Sequence, residues 1–396
     1  MNSKKWLWSW FKVILIIGLI PYILIYFFLV KNYENNTFKE IVSRQIKNNS
    51  IYGTALNQNS FLYKLELINN IKPKVIVLGS SRVMQFRKES FNTSFVNAGG
   101  GMNHLNEGYD FLNSMYKIHK PEYIILGLDF WWFNDDFNQP KSFAYHKNTG
   151  NTIDFHKISK TITWLIKGKI KFSLRTIFDN NKIVNQYTNY DNLGFDAIAT
   201  SDGFRKDGSR CYTKIITGIK PSKDIKFKNT FKRIKNGDSR FQYGDILSKN
   251  RLKIFQDILT LAEKNKTKII IIIPPVSNKV FHKMQTYNYK FIKKLSTYIS
   301  LLKVENYNYH KDTIITSNNC EYIDGFHGGD IIYKRILRDI YKNKSTFSDY
   351  ININQVEKDI KKFKGKVLTI LPTDVFKKDE IDFLQLGCKK EFIKIK

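Results

Sequence analysis

The longest apolar run in the chain comes first. Val13 to Val30 reads VILIIGLIPYILIYFFLV, eighteen residues without a charge. At about 1.5 Å per residue, a helix of that length spans most of a bilayer core. Trp6, Trp8 and Trp10 precede it, where amphipathic rings favour the headgroup level. Gly18 and Pro21 are tolerated inside a membrane helix. A cleaved signal peptide is the rival reading. It would have a shorter apolar region and small residues at the cleavage site, whereas this run ends in large residues and then Lys31-Asn32-Tyr33. The pattern predicts an uncleaved single-pass anchor over 1–31. Lys4, Lys5 and Lys12 favour a cytoplasmic amino end and an extracytoplasmic bulk; Lys31, Lys39 and Arg44 oppose that bias.

A polar, Asn-rich stem is expected over 32–60. Short Val- and Ile-rich runs follow. Val75-Ile76-Val77-Leu78 ends in Gly79, Ser94-Phe95-Val96 in Asn97, and Tyr123-Ile124-Ile125-Leu126 in Gly127; Ile269 to Ile273 stops at Pro274-Pro275. Such runs are strands buried on both faces, as in a parallel sheet. Between them lie stripes at helical spacing: Leu105, Tyr109, Leu112, Tyr116; Leu252, Phe255, Leu259, Ala262; Met284, Tyr287, Phe291, Leu295; Ile332, Ile336, Ile340. The alternation predicts a doubly wound, mostly parallel α/β domain over 61–345. Residues 135–245 are too many for one crossover and read as an inserted subdomain or lid. Residues 346–396 form an extension whose Lys366 to Leu371 run suits an edge element.

Composition narrows the classes. Of 396 residues, 42% are apolar, which excludes a mostly disordered chain. Cys211, Cys320 and Cys388 stand far apart, against a disulfide-stapled scaffold or a CxxC zinc module. No HExxH or similar spacing occurs, so neither a metal nor another cofactor is expected. The net charge of +30 fits a polyanionic partner or simply many solvated lysines. The lysines are scattered with no basic helix or arm, which speaks for solvated faces and against nucleic acid.

The chemistry gathers at strand ends, where open α/β sheets bind ligands. The first strand ends Gly79-Ser80-Ser81-Arg82, the second Asn97-Ala98-Gly99-Gly100-Gly101-Met102-Asn103, and the third Gly127-Leu128-Asp129; Asp324-Gly325-Phe326-His327 enters the last helix stripe. A serine hydroxyl becomes a nucleophile when a neighbouring base takes its proton, and an aspartate orients such a base. Trp131-Trp132-Phe133 could line a sugar or acyl pocket or pack in the core. Arg205, between two Asp-Gly turns, could bind an anion or sit in a solvated turn.

From about residue 74 to residue 342, these blocks resemble the SGNH (GDSL-like) hydrolase superfamily. The resemblance implies an SGNH/flavodoxin-like sheet. It makes Ser81 the nucleophile, with Ser80 in the place of the usual Asp, and Asp324 and His327 its partners. It implies an oxyanion hole from Ser81 and Gly101, with Gly100 the other glycine candidate and Asn103 a further donor. Asp129 stands where the family has Asn, and Asn134-Asp135 is a more distant candidate. A carboxylate would repel an oxyanion, so Asp129 is expected to turn away and hold Arg82. Arg82, Asp129, Trp131 and Trp132 are the candidate substrate-side residues.

The anchor, the Gly-Ser-Ser motif and the insertion resemble the membrane-anchored branch. That branch includes the D-alanyl transfer protein of teichoic acid modification and the alginate O-acetylation proteins. It implies a serine O-acyltransferase or esterase on an envelope polysaccharide. A membrane-bound O-acyltransferase partner and a polysaccharide or acyl-donor substrate would accompany it. A small-ester or lipid hydrolase, and a catalytically silent scaffold, are the alternatives.

Overall fold

Five parallel strands form one sheet in the order β2-β1-β3-β4-β5. They are β1 Val75–Gly79, β2 Phe95–Gly99, β3 Tyr123–Gly127, β4 Lys268–Ile273 and β5 Glu305–Asn308. The computed structural model describes residues 3–56, 59–137, 155–168, 192–369 and 379–390. In register, Val75 lies opposite Phe95 and Tyr123, Tyr123 opposite Lys268, and Ile270 opposite Glu305. Alternate residues face opposite sides. Val75, Val77, Tyr123, Ile125, Ile270 and Ile272 share a core with Ile332, Ile336 and Ile340 of the helix Asp330–Lys342. The helices Ser60–Ile71 and Lys249–Lys264 pack on β2 and β4, and the latter also on Leu105–Tyr116.

Four strands match the apolar runs. β5 was invisible to that pattern because Glu-Asn-Tyr-Asn is polar; it is a half-buried edge strand. The expected Met284 to Leu295 stripe is two helices, Asn278–Met284 and Lys290–Ser300. The break turns Tyr287 onto the Tyr243 ring, with centroids 5.4 Å apart. The Asn288 carbonyl there accepts the Gly244 amide at 3.1 Å. In the extension, the described part of the expected edge element, 366–369, is not a strand, and residues 370 and 371 lie outside the described residues. The extension instead forms the helix Ile353–Lys362 and a tail joined by a Cys320–Cys388 disulfide. The wide sequence spacing of these cysteines concealed that pairing, since their Cα atoms are 5.7 Å apart.

The chain divides into two compact units, Met1–Gln58 with His146–Gly203, and Asn59–Tyr145 with Phe204–Lys396. The expected 135–245 insertion is therefore shared between them, and its residues 138–154 and 169–191 lie outside the described residues. In the second unit, the turns from Phe204 to Ser209 cover the β2 edge: the Asp207 carbonyl accepts the Asn97 amide at 2.7 Å. Arg205 is buried there and donates to the Arg210 carbonyl at 3.1 Å, so it does not present an open anion site.

The first unit contains one helix long and apolar enough to cross a membrane, Ser3–Lys31, among the described residues. A π-helical turn, Leu15–Leu19, directly precedes Pro21, which lacks an N–H and crowds the preceding turn. At the carboxyl end, Ile25, Phe28 and Leu29 pack with Ala55 and Phe195. The expected stem is not an open tether. Thr37 and Glu40 form a capping box on the helix Phe38–Asn48, whose Ile41 and Val42 are buried. Glu34 staples this unit. Its carboxylate accepts the Thr54 hydroxyl at 2.6 Å and the amides of Ala55, Leu56 and Phe195 at 3.0, 3.0 and 2.6 Å. Burial pushes the Glu34 carboxyl up, and these four donors pull it back in part. In Glu34→Ala, the Ala55 and Phe195 amides lose their acceptor, at about 1–3 kcal/mol for each group left unpaired, while the Leu56 amide keeps only the Thr54 hydroxyl at 3.1 Å. Amide hydrogen exchange at Ala55, Leu56 and Phe195 should accelerate together; unchanged exchange at all three would remove the staple from this account.

Candidate active site

The order β2-β1-β3 reverses direction between β1 and β3, which opens a crevice at their carboxyl ends. Two glycines shape it. A Cβ on Gly79 would lie 2.9 Å from the Gly127 carbonyl, and one on Gly127 would lie 2.3 Å from Val83. Without side chains there, the 3₁₀ turn Ser81–Val83 packs onto both strand ends. Ser80 caps that turn, accepting the Arg82 amide at 3.2 Å. Ser81 is then the residue turned toward the crevice and is partly buried.

Ser81 meets the other end of the domain. Its Oγ lies 2.8 Å from His327 Nε2, and His327 Nδ1 lies 2.8 Å from Asp324 Oδ2. The Asp324 Oδ1 accepts the amides of Phe326 and His327, both at 2.9 Å. Burial pushes the Asp324 carboxyl up, but the His327 ring and these two amides outweigh it and hold it below its ordinary value. It is therefore ionised at neutral pH and selects the His327 tautomer with a proton on Nδ1. Nε2 is left to accept from Ser81.

The loop that carries Asp324 and His327 has no helix or strand to hold it. Backbone accounting shows what does. The Gly325 amide donates to Asp224 Oδ2 at 2.9 Å, and its carbonyl accepts the Ser277 amide at 3.0 Å. The Phe326 carbonyl accepts Arg82 Nε at 3.0 Å, and the His327 carbonyl accepts the Ile323 amide at 2.9 Å. Gly325 is required by space: a Cβ would stand 2.8 Å from both Thr230 and Val280. Asp224 also accepts the amide and hydroxyl of Thr230, at 2.9 and 2.7 Å. Sequence reasoning missed Asp224, because a lone Asp among many charges gives no signal until the loop folds against it.

Arg82 lies at the centre of these supports. Beyond Phe326, it donates to Asp129 Oδ1 at 3.1 Å and to the carbonyls of Pro274 and Pro275 at 2.6 and 2.8 Å. Both Arg82 and Asp129 are 1% exposed. Asp129 thus turns to Arg82, as its charge required. Burial pushes its carboxyl up, against the pull of Arg82 and Ser80. This burial bears on an expectation: neither side chain is open to the surface as a substrate-side group would be, and the pair instead ties strand ends to the loop. Trp132 is fully buried core. Trp131 is also buried, with the guanidinium carbons of Arg82 and Arg240 5.3 and 5.7 Å from its ring centroid.

The glycine loop differs from expectation as well. The Gly101 amide donates to the Ala98 carbonyl at 3.0 Å and the Gly100 amide to the Gly79 carbonyl at 2.8 Å. Both candidate oxyanion donors are thus committed to the backbone, Gly100 joining β1 to β2 and Gly101 closing the turn after β2. The Ser81 amide, first of its turn, has no carbonyl within the turn to bond. The Asn103 side chain is exposed, with Nδ2 only loosely held, 3.4 Å from both the Gly100 carbonyl and Glu107. Asn134 is buried away from the strand end, donating to the carbonyls of Gln242 and Tyr243 at 2.9 and 3.1 Å. No group of metal-ligating side chains is found among the described residues.

Removing one partner of a buried ion pair strands the other, at a cost of about 3–5 kcal/mol. Arg82→Ala should therefore lower unfolding free energy by that order in urea titrations. Arg82→Lys should recover little, because one ammonium cannot reach four acceptors on two strand ends and a loop. A Lys variant as stable as the wild type would show that the fork geometry is dispensable.

Comparison with protein-family models, curated proteins and solved structures gives no match for this chain, so its chemistry is read from this geometry and from the sequence resemblance.

Proposed function

We propose that this protein is a membrane-anchored SGNH-type serine acyltransferase or esterase acting on a cell-envelope polysaccharide. One observation carries the reading: the continuous hydrogen-bonded chain from Ser81 Oγ through His327 to Asp324. In the proposed reaction, Ser81 Oγ attacks the acyl carbonyl while its proton passes to His327 Nε2. Asp324 stabilises the imidazolium that forms. The Ser81 amide offers one donor to the developing oxyanion, and Asn103 Nδ2 can swing to offer a second. Collapse expels the donor's leaving oxygen, which takes the proton from His327 and leaves an acyl-serine. A sugar hydroxyl, or water, then attacks that ester with His327 again as base, and Ser81 is regenerated.

Two observations support work outside the cytoplasm. Among the described residues there is one candidate span, near the amino end, and the chain forms a disulfide, which persists in oxidising compartments. A tether also raises the effective concentration of a lipid-linked donor or a membrane-bound O-acyltransferase partner. A diffusing esterase gains little from that, so transfer is the preferred direction. The silent-scaffold alternative gives no reason for a serine, a histidine and an aspartate to be aligned at 2.8 Å spacings.

Ser81 should form an adduct with a fluorophosphonate probe. Ser81→Ala and His327→Ala should abolish labelling, whereas Ser80→Ala, which removes a turn cap and a bond to Asp129, should retain part of it. Wild-type protein that never labels would favour the scaffold. The direction of reaction is read by NMR of envelope polysaccharide from wild-type and Ser81→Ala cells. Fewer ester groups in the mutant mean transfer; more mean de-esterification.

A further inference from the structure

On a surface helix in water, polar residues face out and apolar residues face the core. The helix Phe155–Ile166, in the first unit, departs from that order. Lys157 and Thr161 are 6% and 1% exposed, whereas Ile162 and Ile166 are 41% and 81% exposed. Residues 162 and 166 are one turn apart and share the outward face. Ile158, a turn before Ile162, and Leu165 are partly buried, so an apolar strip runs from the packed side of the helix to its open side. The polar side is fixed inward. Lys157 Nζ donates to Asn35 Oδ1 at 3.1 Å, and Lys160 Nζ to the Ala55 carbonyl at 3.0 Å. Rolling the helix to bury the isoleucines would break both bonds.

Two exposed isoleucines are ordinary by themselves. Their position is not. Ile158, Trp164 and Leu165 of this helix pack with Ile25, Phe28 and Leu29, near the end of the uncharged run Val13 to Val30. Eighteen residues at about 1.5 Å each make a run of about 27 Å, close to the roughly 30 Å of a bilayer core. With that run filling the core, Ile25 lies about 8 Å inside its end. A helix seated on Ile25, Phe28 and Leu29 therefore meets lipid. Its level matches the depth of about 5–10 Å at which in-plane amphipathic helices lie in the acyl boundary. Lys31 ends the span and Lys167 directly follows the second helix; both are exposed, which suits cations at headgroup level.

We propose that the helix Phe155–Ile166 is a second membrane element, lying in the plane of the leaflet beside the carboxyl end of the span, with Ile162 and Ile166 in the acyl boundary. What covers its open face is lipid. This rests on the membrane-anchor part of the proposed function and not on the serine chemistry. The first unit is then seated in the membrane surface and is not held above it on a tether.

The test uses the full chain in nanodiscs of phosphatidylcholine and phosphatidylglycerol in equal parts. Cys211 is buried and Cys320 is bonded to Cys388, so a single introduced cysteine can be labelled without reductant. Ile162→Cys, Ile166→Cys and, within the span, Ile20→Cys each carry the fluorophore NBD. Doxyl groups placed high or low on the acyl chains quench it from the lipid, and iodide quenches it from water. The label at 20 reports the anchor and should lose most emission to the low doxyl and almost none to iodide. The labels at 162 and 166 should lose most to the high doxyl and little to iodide. Strong quenching of both by iodide, with none from lipid, would overturn the proposal and leave the face to water or to a protein partner. Protection of both from every quencher would overturn it in favour of a second copy of this chain. Iodide quenching of the label at 20 is the separate signature of a failed anchor, and it removes the span and this element together.

Discussion

The proposed relay depends on one buried guanidinium. Ser81 and His327 are 246 positions apart, and no strand pairing joins them directly. Arg82 supplies the connection. It leaves β1 beside Ser81, then bonds the end of β3 through Asp129, the end of β4 through Pro274 and Pro275, and the His327 loop through Phe326. A planar fork suits this task because its donors diverge in fixed directions. Desolvating such a cation is expensive unless a counter-charge and good hydrogen bonds accompany it. Asp129 provides the charge and three carbonyls provide the rest.

This explains why an acid stands at the end of β3. An Asn could reach toward an oxyanion but would leave the Arg82 charge buried without compensation. Asp129 and the arginine after Ser81 are two halves of one arrangement. In the proposed reaction, Asp129 therefore offers no donor to an oxyanion. The glycine loop does not replace it, because Gly100 and Gly101 spend their amides on the strand ends.

The sheet was largely legible because its strands are buried on both faces. Burial on both faces leaves continuous Val and Ile runs, and the switch in strand order then locates the crevice. Ser81 was legible because it follows a strand end, where backbone geometry constrains residue choice; Asp324 and His327 were legible only through the Asp-x-x-His spacing ahead of the last helix. What escaped had no periodicity. β5 is a polar edge strand, the disulfide joins residues 68 apart, and Asp224, Arg233 and Arg240 become neighbours of the relay only through tertiary folding. Arg82 and Asp129 were seen, but burial decides their role, and one sequence does not show burial of charged side chains. Trp131 and Trp132 illustrate the same limit, since a tryptophan pair reads alike in a pocket and in a core.

The carboxyl-terminal tail completes the logic of the loop. Arg82 braces Phe326 from the strand side. On the other side, the 3₁₀ turn Asn319–Glu321 leads into Asp324, and the tail holds that turn. Cys388 bonds to Cys320, Lys390 donates to the Cys320 and Gly365 carbonyls at 2.7 and 3.0 Å, and Glu321 accepts the Gly365 amide at 2.9 Å and pairs with Arg335. A loop without regular structure loses more entropy on ordering than its own contacts return. Here a covalent bond, a buried ion pair and a saturated guanidinium supply the difference. The relay is thereby held in register before any substrate arrives, which is the condition under which a serine's small intrinsic reactivity can be raised by its neighbours.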